Sequence, residues 1–399
     1  MAVHSLSDLR QMLVSTDLTW PPQLALSLLS SNTAWEQLVY SVFLDLNQLL
    51  KSYRIVQLGF LGPDGSTNLG LSDCILALQF LQKVAPSFGG SSSKITVAGQ
   101  SSGATLIRAL LAVPSASSLF QSAILQSDPM VRKIACMQSS ADYGCLFQDY
   151  GFLAPSVQQK MQSAFNSDIH CKGTDKSCLN RLSLNTILAA QDNIYNNAAT
   201  QIDPSTGTGE PIRVVRDGKL ITSPLDSTAP FPHSSKPILL SNVLDEAAAA
   251  IYSVFPDTVP EDQFEECVNA TVGSSRTQQL LSSSHYSLPS GVDRATADAR
   301  VQLQQLATDY LWKCPTWTFG RNWADNGGNV FMGMYVVGAT YPGNDEISYC
   351  TNPGVVCHQD DIEIVVRVIS FFALFKSFSD DWLISSSGPF LILLRPSHS

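Results

Sequence analysis

A chain of 399 residues, 44% hydrophobic and only 15% charged, is long enough to bury a large core and too apolar to be disordered. Its net charge of −10, with no basic cluster, argues against nucleic acid or an anionic membrane as partner. The longest apolar patches, residues 371–375 and 390–394, are too short to span a bilayer, so no stable membrane insertion is expected.

Residues 1–50 read as patchy helix, broken by Pro21-Pro22 and by Ser30-Ser31-Asn32, and carry no recognisable chemistry. The opening ten residues lack a basic stretch leading into an apolar core, so no signal peptide is expected. From Tyr53 the pattern sharpens. Residues 55–60 (I-V-Q-L-G-F) read as a strand and 62–65 (G-P-D-G) as a turn. A helix is predicted over 71–84, with Ile75, Leu78 and Leu81 on one face, ending at Phe88-Gly89-Gly90. Residues 95–98 (I-T-V-A) form a predicted strand that runs into Gly99-Gln100-Ser101-Ser102-Gly103, and a helical run follows over 104–112. Strand, sharp turn and helix around G-x-S-x-G are the setting of a nucleophile elbow, with Ser101 at its apex. The helix start behind Ser101 offers backbone N–H groups to a developing oxyanion, Ser102 N–H first among them. Residues 123–126 read as the next buried strand. Strands alternating with helices in this order predict an α/β fold: a mostly parallel central sheet covered by helices on both faces.

The run Asn68-Leu69-Gly70-Leu71-x-Asp73, followed by Ala77-Leu78, Phe88-Gly89-Gly90, the elbow and Ala123-Ile124-Leu125-Gln126-Ser127, resembles the type-B carboxylesterase/lipase family. That family is the cholinesterase-like branch of the α/β-hydrolases, and the wording is similar to its fungal members. The resemblance runs from about residue 53 to 365. It implies the α/β-hydrolase fold and a carboxylic ester hydrolase, esterase or lipase, that works through a serine nucleophile and an acyl-enzyme. No metal and no organic cofactor is implied; the partner is a small-molecule or lipid ester, and the oligomeric state stays open.

The mechanism needs an acid and then a histidine downstream of the serine. Of six histidines, His358 alone precedes an acidic cluster, Asp360-Asp361-Ile362-Glu363, and a hydrophobic run; its setting also resembles the family's catalytic-histidine loop. Residues 237–246 read as a strand ending in Asp245-Glu246. In the family this is an Asp-Glu pair whose Glu orients the histidine, which assigns Glu246 and leaves Asp245 as the alternative. Ala247 stands where the family has glycine.

Among nine cysteines, Cys171/Cys178 and Cys350/Cys357 are each seven apart across polar or Gly/Pro-containing segments, the spacing of small-loop disulfides; zinc ligation is the competing reading. Disulfides would favour an oxidising compartment, and the sequon Asn269-Ala270-Thr271 agrees with a glycosylated, secreted parent protein, although no export signal is visible.

The middle is less informative. Residues 153–235 look loop-heavy, with helical patches at 158–165 and 182–191, and 257–328 look largely helical, for instance over 295–312. Tyr310, Trp312, Trp317 and Phe319 read as core rather than as a substrate site.

Three departures from the family stand out. Residues 1–52 hold no glycine, and so none of the His-Gly-Gly-Gly-type loop that completes the family's oxyanion hole. Residues 131–148 interrupt otherwise continuous family-like text, and Cys136 and Cys145 lie within them. The tail, 366–399, diverges. Truncation at both ends and a retained short intron at 131–148 are the resulting expectations. They leave a catalytically impaired or mis-spliced product, with a binding role at most, as the alternative to an active enzyme. A retained intron predicts transcripts that lack codons 131–148; finding those codons in every transcript would overturn it.

Overall fold

The computed structural model describes residues 40–43, 59–88, 90–130, 150–206, 210–223, 225, 235–288, 291–294, 296–362 and 364–365. The suspected insert with Cys136 and Cys145, the tail, His4, His233 and His398 lie outside these residues, as does the region expected to lack the oxyanion loop apart from 40–43.

Among the described residues, five strands, β1 (Tyr40–Phe43), β2 (Ile95–Gln100), β3 (Ser122–Gln126), β4 (Ile238–Val243) and β5 (Val330–Tyr335), form one sheet in that spatial order, every pairing parallel. β1 corrects the helical reading of residues 1–50. Tyr-Ser-Val-Phe is strand-favouring composition, and it pairs along β2 from Tyr40↔Ile95 to Phe43↔Ala98. Of the strand expected over 55–60, only Gly59 and Phe60 are described, and they form a turn. β2 and β4 are buried at all but one position, as parallel strands covered on both faces must be.

Helix α1 (Leu69–Val84) begins two residues before its predicted start and buries Leu71, Cys74, Ile75 and Leu78. Asn68, in the left-handed region at φ 55°, does not cap it; the side chain instead bonds Val215 in both directions, Nδ2 donating to the carbonyl at 2.8 Å and Oδ1 accepting from the N–H at 2.9 Å. Helix α2 (Ser102–Leu111) is buried from Gly103 to Leu110. That run includes Arg108, a buried charge that Asp128 meets. Arg108 Nε lies 2.8 Å from Asp128 Oδ2, and Thr105 Oγ1 donates to the same carboxylate at 2.7 Å.

The helical patches of the middle region become α3 (Pro155–Asp168) and α4 (Leu184–Asn197), both longer than predicted. After β4 come α5 (Ala248–Val254), α6 (Glu261–Val272) and α7 (Ser274–Leu281). The helix expected over 295–312 starts only at Arg300. Asp298 forms a bridge with Pro260 and turns its carboxylate onto the Arg300 backbone N–H and guanidinium, which delays the start. From there α8 (Arg300–Thr308) continues through a π-helical turn, Asp309–Lys313, into α9 (Cys314–Asp325). A second apolar core, with Ile251, Phe264, Val268, Leu303, Leu306 and Trp312, joins α5, α6, α8 and the π-helical turn, whereas Phe319 and Trp323 of α9 belong to the main core with β2, β3 and β4.

Both expected disulfides form. Cys171–Cys178 and Cys350–Cys357 have Cα atoms 5.8 and 5.7 Å apart, which displaces the zinc reading. Cys74 is free and buried. Among the described residues no helix is long and apolar enough to cross a membrane.

Because Arg108 and Asp128 are 0% and 1% exposed, removing one partner leaves the other charge uncompensated in the core. Arg108→Met should therefore lower stability by about 3–5 kcal/mol, read as a fall in the urea unfolding midpoint. A midpoint within error of the parent would contradict this account of the pair.

Candidate active site

The carboxyl ends of β2, β3 and β4 gather the site. β2 ends at Gln100, and Ser101 follows with φ 57° and ψ −124°, a conformation that L-residues rarely adopt. The turn is over-determined from both sides. Ser101 N–H donates to the Gln126 carbonyl of β3 at 2.8 Å, and its own carbonyl accepts from Thr105 N–H at 3.0 Å. A Cβ added at Gly99 would sit 2.6 Å from the backbone of Gly103, so strand and helix can close on each other only if residue 99 is glycine. Ser102 is the first residue of α2, where the N–H has no intrahelical acceptor.

Glu246 and His358, far apart in the chain, are brought into contact. His358 Nδ1 lies 2.6 Å from Glu246 Oε2. The carboxylate is wholly buried and its other oxygen accepts from Val243 N–H at 2.9 Å and Asn242 Nδ2 at 3.3 Å, which aims Oε2 at the ring. Asp245, the alternative acid, faces elsewhere. Its carboxylate accepts from Val356 N–H at 3.0 Å and Gln304 Nε2 at 3.2 Å, while its N–H donates to the Val356 carbonyl. Asp245 thus clasps the histidine loop to the end of β4. Ala247 in place of glycine carries no backbone penalty: φ −86° and ψ −5° suit any L-residue.

The loop that presents His358 is held from within. Asp360 accepts from Cys357 N–H at 2.7 Å and Tyr341 N–H at 2.8 Å, and Asn344 Nδ2 bonds both Asp360 and the His358 carbonyl at 2.8 Å. The Cys350–Cys357 disulfide closes the same loop immediately before the histidine. Gln359, next in the chain, sits at φ 80°, a second strained backbone beside the ring.

Three contributors were not singled out from sequence. Gln100 brings Nε2 to within 3.2 Å of His358 Nε2. Trp312, read as core, does sit in the second core, but its ring is also 5.6 Å from the His358 ring centroid, and its Nε1 donates to the Ser127 carbonyl. The π-helical turn that carries it is a local signature common at functional sites. Asp361 is fully buried; Gln126 Nε2 donates to its Oδ2 at 2.6 Å, while Oδ1 has no hydrogen-bond partner. Burial, then the charge of Glu246, pushes the Asp361 carboxyl up to about 6. Of the other aromatic residues considered, Phe319 is core and Trp317 is 57% exposed. His285 pairs with Asp309 at 2.8 Å on the surface. Asn269 is exposed on α6, whereas Thr271 of its sequon is buried and donates its hydroxyl to the Cys267 carbonyl.

For His358 itself, burial pulls the pKa down. The hydrogen bond to Glu246 and the charges of Glu246, Asp361 and Glu210 outweigh that and leave it raised. Among the described residues no group of three or more His, Cys, Asp or Glu side chains could hold a metal ion. What the arrangement can do is move a proton: a serine on a strained turn, an imidazole oriented by a buried carboxylate, and helix N–H groups for a nearby anion.

Comparison with known proteins gives a consistent picture. A family model described as "Carboxylesterase family" matches residues 50–387. The chain is 29% identical to the cAMP-regulated D2 protein of Dictyostelium discoideum over 66% of its own length and 44% of that protein's. It is 25% identical to the Crystal protein of the same organism over 79% and 52%. Cholinesterase 1 of Branchiostoma lanceolatum is 30% identical over 49% and 52%. The chain thus spans about half the length of these relatives. A solved PNB esterase matches with a TM-score of 0.52 at 18% identity, over 79% of this chain and 59% of that one. The parallel sheet with its elbow after β2 is the α/β-hydrolase fold.

A raised His358 pKa means that its NMR-monitored titration midpoint should lie above about 6.5. Glu246→Gln should lower that midpoint most, and Asp361→Asn should lower it less, since each removes an acid that favours the imidazolium. A parent midpoint below 6.5, unmoved in both variants, would contradict the assigned electrostatics.

Proposed function

Because the chain belongs to the carboxylesterase family, we propose that it hydrolyses carboxylic esters with Ser101 as nucleophile, His358 as general base and Glu246 as the acid that orients the imidazole. The observation that carries this reading is the 2.6 Å bond from His358 Nδ1 to the buried Glu246, at the strand ends where Ser101 turns into α2. With Nδ1–H committed to a carboxylate, the neutral ring has its lone pair on Nε2, where a serine proton can be received. Ser101 Oγ then attacks the ester carbonyl as His358 takes its proton. The negative oxygen that forms is met by Ser102 N–H at the positive end of α2. The imidazolium, stabilised by Glu246, returns the proton to the departing alcohol; water, activated by the same histidine, releases the acid from Ser101.

Several relatives bear ester-cleaving names. Para-nitrobenzyl esterase of Bacillus subtilis is 29% identical over 46% of this chain, and fumonisin B1 esterase of Sphingopyxis macrogoltabida is 37% identical over 23%. They support a small-molecule ester as the substrate class, and we extend the proposal to lipid esters. The two disulfides support an oxidising compartment and hence an extracellular setting. The paired acid and base favour an active enzyme over a silent relative.

A fluorophosphonate probe tests the reading, since it reacts with serines activated in this way. Peptide mapping should locate the label on Ser101, with none in Ser101→Ala or His358→Ala. Glu246→Gln should label about 10³- to 10⁴-fold more slowly, the scale set by loss of the orienting acid in a serine triad. A folded parent chain that takes no label would overturn the proposal.

A further inference from the structure

We infer that Gln100 is a positioning residue that occupies the proton-accepting nitrogen of His358 until substrate arrives, an inference that rests on the triad proposed above. Gln100 is the last residue of β2, 8% exposed, and is joined by a peptide bond to Ser101. Its amide nitrogen lies 3.2 Å from His358 Nε2. Donor and acceptor follow from the other side of the ring. A carboxylate can only accept, so Nδ1, 2.6 Å from Glu246 Oε2, carries the hydrogen, and Nε2 of the neutral ring presents a lone pair. An amide nitrogen can only donate. Gln100 N–H therefore points at the same lone pair that must accept the Ser101 proton.

The value of an uncharged donor here lies in what surrounds the ring. Glu246 at the end of β4, Asp361 in the histidine loop and Glu210 from the middle region all act on His358 electrostatically, and each favours the imidazolium. Trp312 is the neutral neighbour. A ring already protonated cannot serve as a base. A hydrogen bond donated to Nε2 stabilises the neutral form and opposes the three acids. Turning the terminal amide by half a rotation would present Oε1 instead, which can accept from Nε2–H once the ring has taken the serine proton. One side chain can thus address both protonation states without adding charge. A carboxylate at position 100 could serve only the second.

The test compares the full-length parent with Gln100→Glu and the near-isosteric, donor-free Gln100→Met, following the rate of Ser101 labelling by a fluorophosphonate against pH. Circular dichroism confirms that each variant is folded. Gln100→Glu should move the acid limb of the profile up by about one pH unit or more, which is roughly a tenfold slower reaction below the limb. Gln100→Met should shift the limb in the same direction by less. Profiles that overlay the parent's, with Ser101 still labelled, would overturn the role of Gln100 and leave the triad standing. Failure of the parent itself to label Ser101 would remove the triad, and this inference with it.

Discussion

The proposed chemistry depends on one hydrogen bond, from His358 Nδ1 to Glu246 Oε2, closed between residues 112 apart in sequence. Neither partner is free to choose its orientation. Glu246 is locked by the Val243 N–H and the Asn242 amide at the end of β4, so that a single oxygen faces the ring. His358 is delivered by a loop whose backbone is gathered by Asp360, Asn344 and Asp245 and closed by a disulfide. Most of these bonds are to backbone groups. Their work is to hold main chain in one place, so that a short, charge-assisted contact forms without the entropy cost of searching for it.

The Ser101 side of the site combines close packing with polar ties. Gly99 and Gly103 let β2 and α2 approach until a single Cβ would collide, and the strained Ser101 between them is held because both flanking elements are buried. The buried Arg108–Asp128 pair ties the middle of α2 to the segment after β3, the strand whose last carbonyl accepts Ser101 N–H. Strain of about 1–3 kcal/mol at such a residue persists only where surrounding structure outweighs it. The core around the elbow and the position of Ser101 are therefore one problem.

Trp312 shows how a residue can serve two ends at once. It belongs to the second apolar core, yet the π-helical turn Asp309–Lys313 tips it toward the histidine, and neighbouring groups stitch that turn to the strand ends: Trp312 Nε1 to Ser127, Leu311 carbonyl to Met130 N–H, Lys313 Nζ to the Leu244 carbonyl. An aromatic stripe at helical spacing is usually core. Here that reading holds for Phe319, is corrected for the exposed Trp317, and is incomplete for Trp312, which sits on the π-helical turn and reaches the histidine.

Short-range patterns are what the amino-acid sequence alone makes legible. The elbow at Ser101, the acidic strand end at Glu246, the histidine before an acidic cluster and the two seven-residue cysteine loops are short-range patterns, since turn geometry, strand ends and small disulfide rings are determined within about ten residues. The strand at Tyr40–Phe43 was not legible, since four residues become a strand only when β2 offers its edge. The delayed start of α8 depended likewise on a bridge to Pro260. Tertiary structure also decided which of two adjacent acids meets the histidine: Asp245 is drawn to the Val356 backbone and Glu246 is left facing the ring. It alone set Gln100, Trp312 and Asp361 around His358, because such contacts depend on strands and loops distant in sequence arriving at one end of the sheet, and no local pattern encodes that distance.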